Sequence, residues 1–303
     1  MNFFIGTVAD GLTLGAIYSL AAVAFSLFCG TGGGFSFVPA GICLASAIVS
    51  AIVASWIWTF GPVFMLAAFV VSLLASITAG GAAGWLFGRA NAQGDCAGIW
   101  PLFASVGVLF TAIGLLQFMS QLHIASHVPS PSPASLMLSV PGLFSVQIAA
   151  VQPLIIALAA ASVGVVAFVV RKTHFGMLRR VVRYDATMAE LLGADTARIT
   201  SICTLMASAL AAVSGWMLWA DRGLPRPESG FLTIVCVLLA VVAGRMSSLK
   251  GSAVFGFLAG IGQTFWSAYF SPSYAAPAIF AVVLFLVRFF PERAQVSRPV
   301  EDI

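Results

Sequence analysis

Two stretches of this chain, residues 11–88 and 96–170, contain no Asp, Glu, Lys or Arg. A soluble domain usually has about one charged residue in four. Here charged residues make up 8% of 303 and hydrophobic ones 60%, and the mean hydropathy is +1.05. Such a chain has too few polar atoms to cover a globule in water. An ordinary soluble enzyme, a disordered tail and a nucleic-acid module are therefore excluded. In hydrocarbon every backbone polar group must be satisfied within its own segment, so long charge-free runs point to membrane-spanning helices. The expected class is all-α: a polytopic helical bundle, with residues 1–303 forming a single transmembrane domain.

Crossing about 30 Å of hydrocarbon at 1.5 Å per residue takes about 20 residues. Runs of that size fall at 7–28, 37–58, 63–87, 97–119, 146–170, 199–220 and 252–270, with shorter ones at 231–243 and 276–290. This gives about 8–9 membrane segments. The 13-residue run rises only about 20 Å. It is either extended by its neighbours or a broken or half-helix, near 231–251, of the kind that lines transport paths. Arg171, Lys172, Arg179, Arg180 and Arg183 form the densest basic cluster. By the positive-inside rule that loop is cytoplasmic, which puts the N-terminus outside and the C-terminus inside. Loops 120–145 and 221–230 then face outward. Their proline-rich pieces, 128–133 and 224–227, suit fixed loop shapes and contact with an external partner.

Trp56, Trp58, Trp216, Trp219 and Trp266 are expected at the outer interface and Trp85 and Trp100 at the inner one, the depths amphipathic rings prefer. Gly11–Gly15, Gly80–Gly84–Gly88 and Gly256–Gly260 have the spacing that lets helix backbones approach closely. The five cysteines form no CxxC pair and read as small core residues. Asp10, near the outer start of the first run, is the one acid close to a span there, either functional or at a wet helix N-terminus. His123 and His127 are spaced i, i+4 but lack a third ligand, so no metal site is expected. No GxxxxGK[ST] phosphate loop occurs, and no cofactor is implied.

The stretch 171–198, RKTHFGMLRRVVRYDATMAELLGADTAR, does not belong in a membrane. A loop of this length usually has a job. Asp185 can cap a helix that Gly193 ends, with Met188, Leu191 and Leu192 forming an apolar edge. Such a helix either rests on the bilayer or inserts into a soluble partner and transmits its motion.

The string Gly176-Met-Leu-Arg179-Arg-Val-Val-Arg183-Tyr-Asp185, followed by Ala189-Glu190-Leu191-Leu192-Gly193, resembles the EAA-type loop of ATP-binding-cassette importer permeases. More narrowly it resembles the branched-chain amino acid permease family, whose opening span is similar to Gly11-Leu-Thr13-Leu-Gly-Ala-Ile-Tyr18-Ser19-Leu20. The resemblance covers nearly the whole chain. It implies that Arg179, Arg183, Asp185, Met188, Ala189, Glu190, Leu191, Leu192 and Gly193 form a loop coupled to an ATPase. It puts the translocation path beside Thr13, Ser19, Ser36, Pro39, Gly244, Ser248 and Gly251. Two departures stand out. Pro39 occupies the place of a family His, and Arg245 and Lys250 add charge to a glycine-rich turn that the family keeps neutral. Implied partners are two ATP-binding subunits, a second homologous permease or a second copy, an extracytoplasmic solute-binding protein and the lipid of a bacterial inner membrane; no nucleic acid is implied.

The expected function is a permease subunit, itself no enzyme, with ATP hydrolysed by its partners. Charge is scarce in the spans, which favours a net-neutral solute, such as a branched-chain or hydrophobic amino acid or an amide- or urea-type compound. The alternative is an ion-coupled secondary transporter of a small solute.

Overall fold

The computed structural model describes residues 2–29, 36–58, 65–93, 100–121, 135–140, 144–149, 151–184, 186–191, 193, 195–244, 248–270, 274 and 281. Its helices are α1 (Asn2–Cys29), α2 (Val38–Trp58), α3 (Met65–Gln93), α4 (Trp100–Gln121), α5 (Val151–Lys172), α6 (His174–Tyr184), α7 (Ala186–Leu191), α8 (Thr196–Arg222), α9 (Pro227–Ala243) and α10 (Leu249–Tyr269). Between α4 and α5 lies a hairpin of β1 (Ser135–Val140) and β2 (Phe144–Ala149). Six helices, α1 to α5 and α8, are long and apolar enough to cross a membrane. The helical bundle expected from the charge-free runs is therefore present; of the 8–9 membrane segments expected, six are found among the described residues, α9 is a shorter apolar helix, and α10, over the run expected at 252–270, is not among the six.

The differences are local and have physical reasons. The run expected from 146 starts as strand: β2 pairs antiparallel with β1 from Ser135↔Ala149 to Val140↔Phe144, and α5 begins only at Val151. β2 alternates Phe144, Val146 and Ile148 with Ser145 and Gln147, a period-2 pattern that suits a strand, and β1 carries the apolar run Leu136-Met137-Leu138. The short run at 231–243 is extended backward by one turn: α9 is a 17-residue helix with Pro227 in its first turn, where a missing N–H is harmless. It is continuous, not broken. Of the segment at 276–290 only residue 281 is among the described residues. Cys96, His123, His127 and the prolines at 128–133 lie outside them.

The glycine contacts run antiparallel, α1 against α10 and α3 against α8, so the molecule has two ends. One end gathers Arg89, Arg171, Lys172, the helices α6 and α7, and Lys250. The opposite end gathers Asp10, the hairpin, and the turn between α8 and α9. Gln152 Nε2 at the start of α5 donates to Asp10 Oδ1 in the third turn of α1 (2.8 Å), which fixes the alignment at that end.

Helix α1 is apolar nearly all round, and such a helix belongs inside a bundle. Leu14, Ile17, Tyr18, Leu20, Phe25 and Leu27 are all buried, with α5, α8, α9 and α10 around them. Its closest neighbour is α10. A side chain on Gly260 would meet the backbone of Gly15, and one on Gly256 would come within 2.7 Å of Ser19 Cα. The two glycine motifs at 11–15 and 256–260 are thus the two halves of one seam. The third motif is the α3 side of another: Gly80, Gly84 and Gly88 face Ala212, Ser208 and Thr204 on α8.

The outer faces of α3, α4 and α5 carry exposed Leu74, Phe103, Phe110, Phe118, Val165 and Phe168, as lipid-facing helices should. Trp56 is 73% exposed at the end of α2, in keeping with an interfacial ring. Trp216 and Trp219 are not interfacial. Both are buried in α8, where Trp216 Nε1 donates to Ser72 Oγ (2.9 Å) and its ring meets Phe69 edge-on at 5.7 Å. A buried indole needs a hydrogen-bond partner, and Ser72 on α3 supplies one. Cys29, Cys43, Cys203 and Cys236 are free and buried core residues.

Candidate functional site

The site has two parts, one at each end of α1. At the end opposite the arginine cluster, a cavity of about 230 Å³ opens between α1, α8, α9 and α10. The α8–α9 turn forms its mouth, with Arg222, Leu224, Pro225 and Arg226. Arg222 Nε pairs with Asp221 at 3.3 Å. Leu14 and Leu218 make apolar wall, and Tyr18, Thr233 and Gln263 make a polar floor.

Three helices build that floor. The Tyr18 hydroxyl donates to Gln263 Oε1 (2.6 Å) and lies 3.2 Å from Thr233 Oγ1, which itself donates to the Ser229 carbonyl (2.9 Å). Cys236 Sγ also donates to Gln263 Oε1 (3.2 Å). The Gln263 oxygen is therefore occupied, and its N–H₂ group is the donor left for a solute. Buried polar groups rarely go unpaired, and a cluster satisfied this way holds three helices in register while presenting polarity inside an otherwise apolar bundle. Apolar walls with a few convergent polar groups are the usual build of a small-solute site.

The seven residues expected along a path do not line this cavity. Thr13 is buried and its hydroxyl donates to the Ala9 carbonyl within α1 (3.0 Å). Ser19 lies on the α10 seam beside Gly256. Ser36 accepts from the Val38 N–H (3.4 Å) and Pro39 is buried in the first turn of α2; together they start that helix. Gly244 and Gly251 approach each other so closely that a side chain on Gly244 would come within 2.5 Å of the Gly251 carbonyl carbon. Ser248 caps α10, accepting from the Gly251 N–H at 3.2 Å. These three residues form the corner joining α9 to α10. None of the seven lines the cavity. Tyr18, a neighbour of Ser19 in the same string, does.

At the basic end, 174–191 folds as two helices, α6 and α7, where one starting near Asp185 was expected. The additional helix, α6, is strongly amphipathic. Its buried Val182 joins Ala189 of α7 and Ile199 of α8, with Phe175 and Leu178 against them, in a small core of its own. Gly193 follows α7 with φ +80, the left-handed conformation expected of it. Asp195 caps α8 by accepting from the Arg198 N–H (3.0 Å). Glu190 Oε1 accepts from Thr196 Oγ1 (2.5 Å), which ties α7 to the start of α8. Asp185 and Leu192 lie outside the described residues, and only the backbones of Arg183 and Met188 are described.

Two of the loop residues face inward. Ala189 is fully buried. Arg179 is only 6% exposed, and its Nη2 donates to the carbonyls of Leu27 (3.2 Å) and Ser26 (3.5 Å) at the end of α1. The last carbonyls of a helix lack partners within it and carry its negative end, so a guanidinium there is doubly favoured. Leu191, by contrast, is 83% exposed, and Met177 and Val181 on α6 are exposed as well. The loop thus presents apolar side chains outward and grips α1 inward.

The family model for the branched-chain amino acid transport system permease component matches residues 7–289. Curated relatives match at low identity over almost their full length. The high-affinity branched-chain amino acid transport system permease protein LivH of Salmonella typhimurium is 24% identical over 95% of this chain and 94% of its own, as is that of Escherichia coli K12. The corresponding BraD of Pseudomonas aeruginosa is 23% identical over the same shares. No solved structure matches. With a match across nearly all of its spans and loops, the chain belongs to the family of branched-chain amino acid transport permeases, as a multi-pass membrane transport subunit.

Proposed function

We propose that this chain is the membrane subunit of an ATP-binding-cassette importer of the bacterial inner membrane that passes a branched-chain amino acid inward. The basic end is cytoplasmic under the positive-inside rule, so the N-terminus and the outer cavity face the periplasm. A solute-binding protein delivers the solute at the α8–α9 turn. ATP-binding subunits dock on the exposed side of α6 and α7. A second permease, homologous or identical, completes the membrane part. The observation that carries this reading is that one buried helix, α1, holds Tyr18 at the cavity floor and ends on the Arg179 guanidinium of the loop. A rigid-body shift of the loop would then reach the floor without an intervening flexible segment.

A zwitterionic aliphatic solute suits the site. Gln263 N–H₂ and Arg226 can meet a carboxylate, and Leu14, Leu218 and Leu224 can meet an aliphatic side chain. An amide- or urea-type solute would use only the polar floor. In proteoliposomes containing the chain and its partner subunits, with ATP inside and binding protein outside, labelled leucine should accumulate and leucinamide or urea should compete poorly. Accumulation that follows an imposed ion gradient and ignores ATP would establish the secondary-transporter alternative instead.

A further inference from the structure

A second cavity lies at the basic end, between α1, α5 and α10, with a volume of about 350 Å³. Its walls are Val23, Val166 and Ala167 on one side and Ala253 and Val254 on the other. Its rim carries two cations from different helices, Arg171 at the end of α5 and Lys250 in the first turn of α10. Both are exposed, and neither forms an ion pair among the described residues, where Arg222–Asp221 is the sole one. The groove is open on one side, where Val254 in its wall is 58% exposed.

The level of this rim relative to a bilayer can be read from its neighbours. Lys172 Nζ sits over the Phe168 ring at 5.7 Å, and at the same end Arg89 lies over Trp85 at 5.0 Å. Aromatic rings beneath cations mark the boundary between hydrocarbon and headgroups. The apolar groove is therefore at acyl-chain depth and the two cations at phosphate depth.

We infer that this groove binds one anionic phospholipid, with the phosphate between Arg171 and Lys250 and an acyl chain along the valine walls. A zwitterionic lipid has its phosphate already paired with its own amine, so two unpaired cations favour a lipid of net negative charge. The first turn of α10 adds the positive end of a helix dipole to the same spot.

The inference stands apart from the transport reading, because it concerns only the groove. Its test is native mass spectrometry of the detergent-solubilised protein titrated with phosphatidylglycerol and, separately, phosphatidylcholine. One phosphatidylglycerol should bind preferentially, and Arg171→Gln with Lys250→Gln should weaken it about thirtyfold, at about 1 kcal/mol for each cation. Arg171→Lys with Lys250→Arg should retain the preference, and monodispersity in size-exclusion chromatography will show that each variant is folded. Val254→Trp should obstruct the groove and weaken binding with the charges intact. Equal binding of both lipids, no effect of the charge removal, or displacement of the lipid by free glycerol phosphate would overturn the proposal. So would a photocrosslinker at position 254 that captures a polypeptide in membranes instead of lipid.

Discussion

Tyr18 is the residue on which the cavity beside the α8–α9 turn depends. Its hydroxyl joins α1 to α9 and α10 through Thr233 and Gln263, which lie 215 and 245 residues further along the chain. Tyr18→Phe removes that hydroxyl and leaves the ring packed. A hydrogen bond of this kind contributes about 1 kcal/mol to holding the three helices together, so the melting temperature in detergent should fall slightly, and the loosened floor should raise the concentration of leucine for half-maximal uptake. An unchanged uptake curve would remove Tyr18 from the site. The site was illegible in the sequence for the reason these separations show. Thr13, Ser19 and Tyr18 are equally polar within one apolar string, and only the packing of α1 decides which of them meets Gln263. Thr13 satisfies itself on its own helix, as buried hydroxyls in membrane helices commonly do. Trp216 and Trp219 misled in the same way, because a ring near the end of an apolar run suits an interface as well as a core.

At the scale of elements, the runs themselves were legible, since length and absence of charge are properties of a segment alone. Pairing was not. The spacing of Gly11–Gly15 and Gly256–Gly260 announces close contact but not that each is the other's partner. Gly260→Val should destabilise the protein by about 1–3 kcal/mol or more, read as a lower melting temperature in detergent, because the side chain would meet the Gly15 backbone. Gly262→Ala, two residues away with open space around it, should not lower the melting temperature. For the loop, the length and the glycine stop were legible, while the division into α6 and α7 was not. The 11 residues of α6 carry three arginines, which read as loop charge until Arg179 is seen turned inward. Leu191→Asp alters an exposed side chain, so stability should shift by less than about 0.5 kcal/mol. Recovery of ATP-binding subunits with the detergent-purified protein should nevertheless fall severalfold. Full recovery would place the docking surface elsewhere. Glu190 is a poorer choice for this test, because its hydrogen bond to Thr196 also shapes the loop.

The whole molecule reads as a lever. A buried helix carries a polar floor near its middle, and at its basic end its last carbonyls are gripped by a guanidinium from an amphipathic loop. Alternating segments and charge asymmetry made the two ends of this arrangement visible in the sequence, and the family match spans it from end to end. The link between the ends was hidden, since Arg179 and Leu27 are 152 residues apart. Breaking that link tests the mechanism at its centre. In the reconstituted complex, ATP hydrolysis and leucine uptake should be measured together for Arg179→Ala and Arg179→Lys. The account predicts that Arg179→Ala keeps binding-protein-stimulated hydrolysis while uptake per ATP falls at least tenfold, with partial recovery in Arg179→Lys. Uptake per ATP equal to that of the unaltered protein would contradict it.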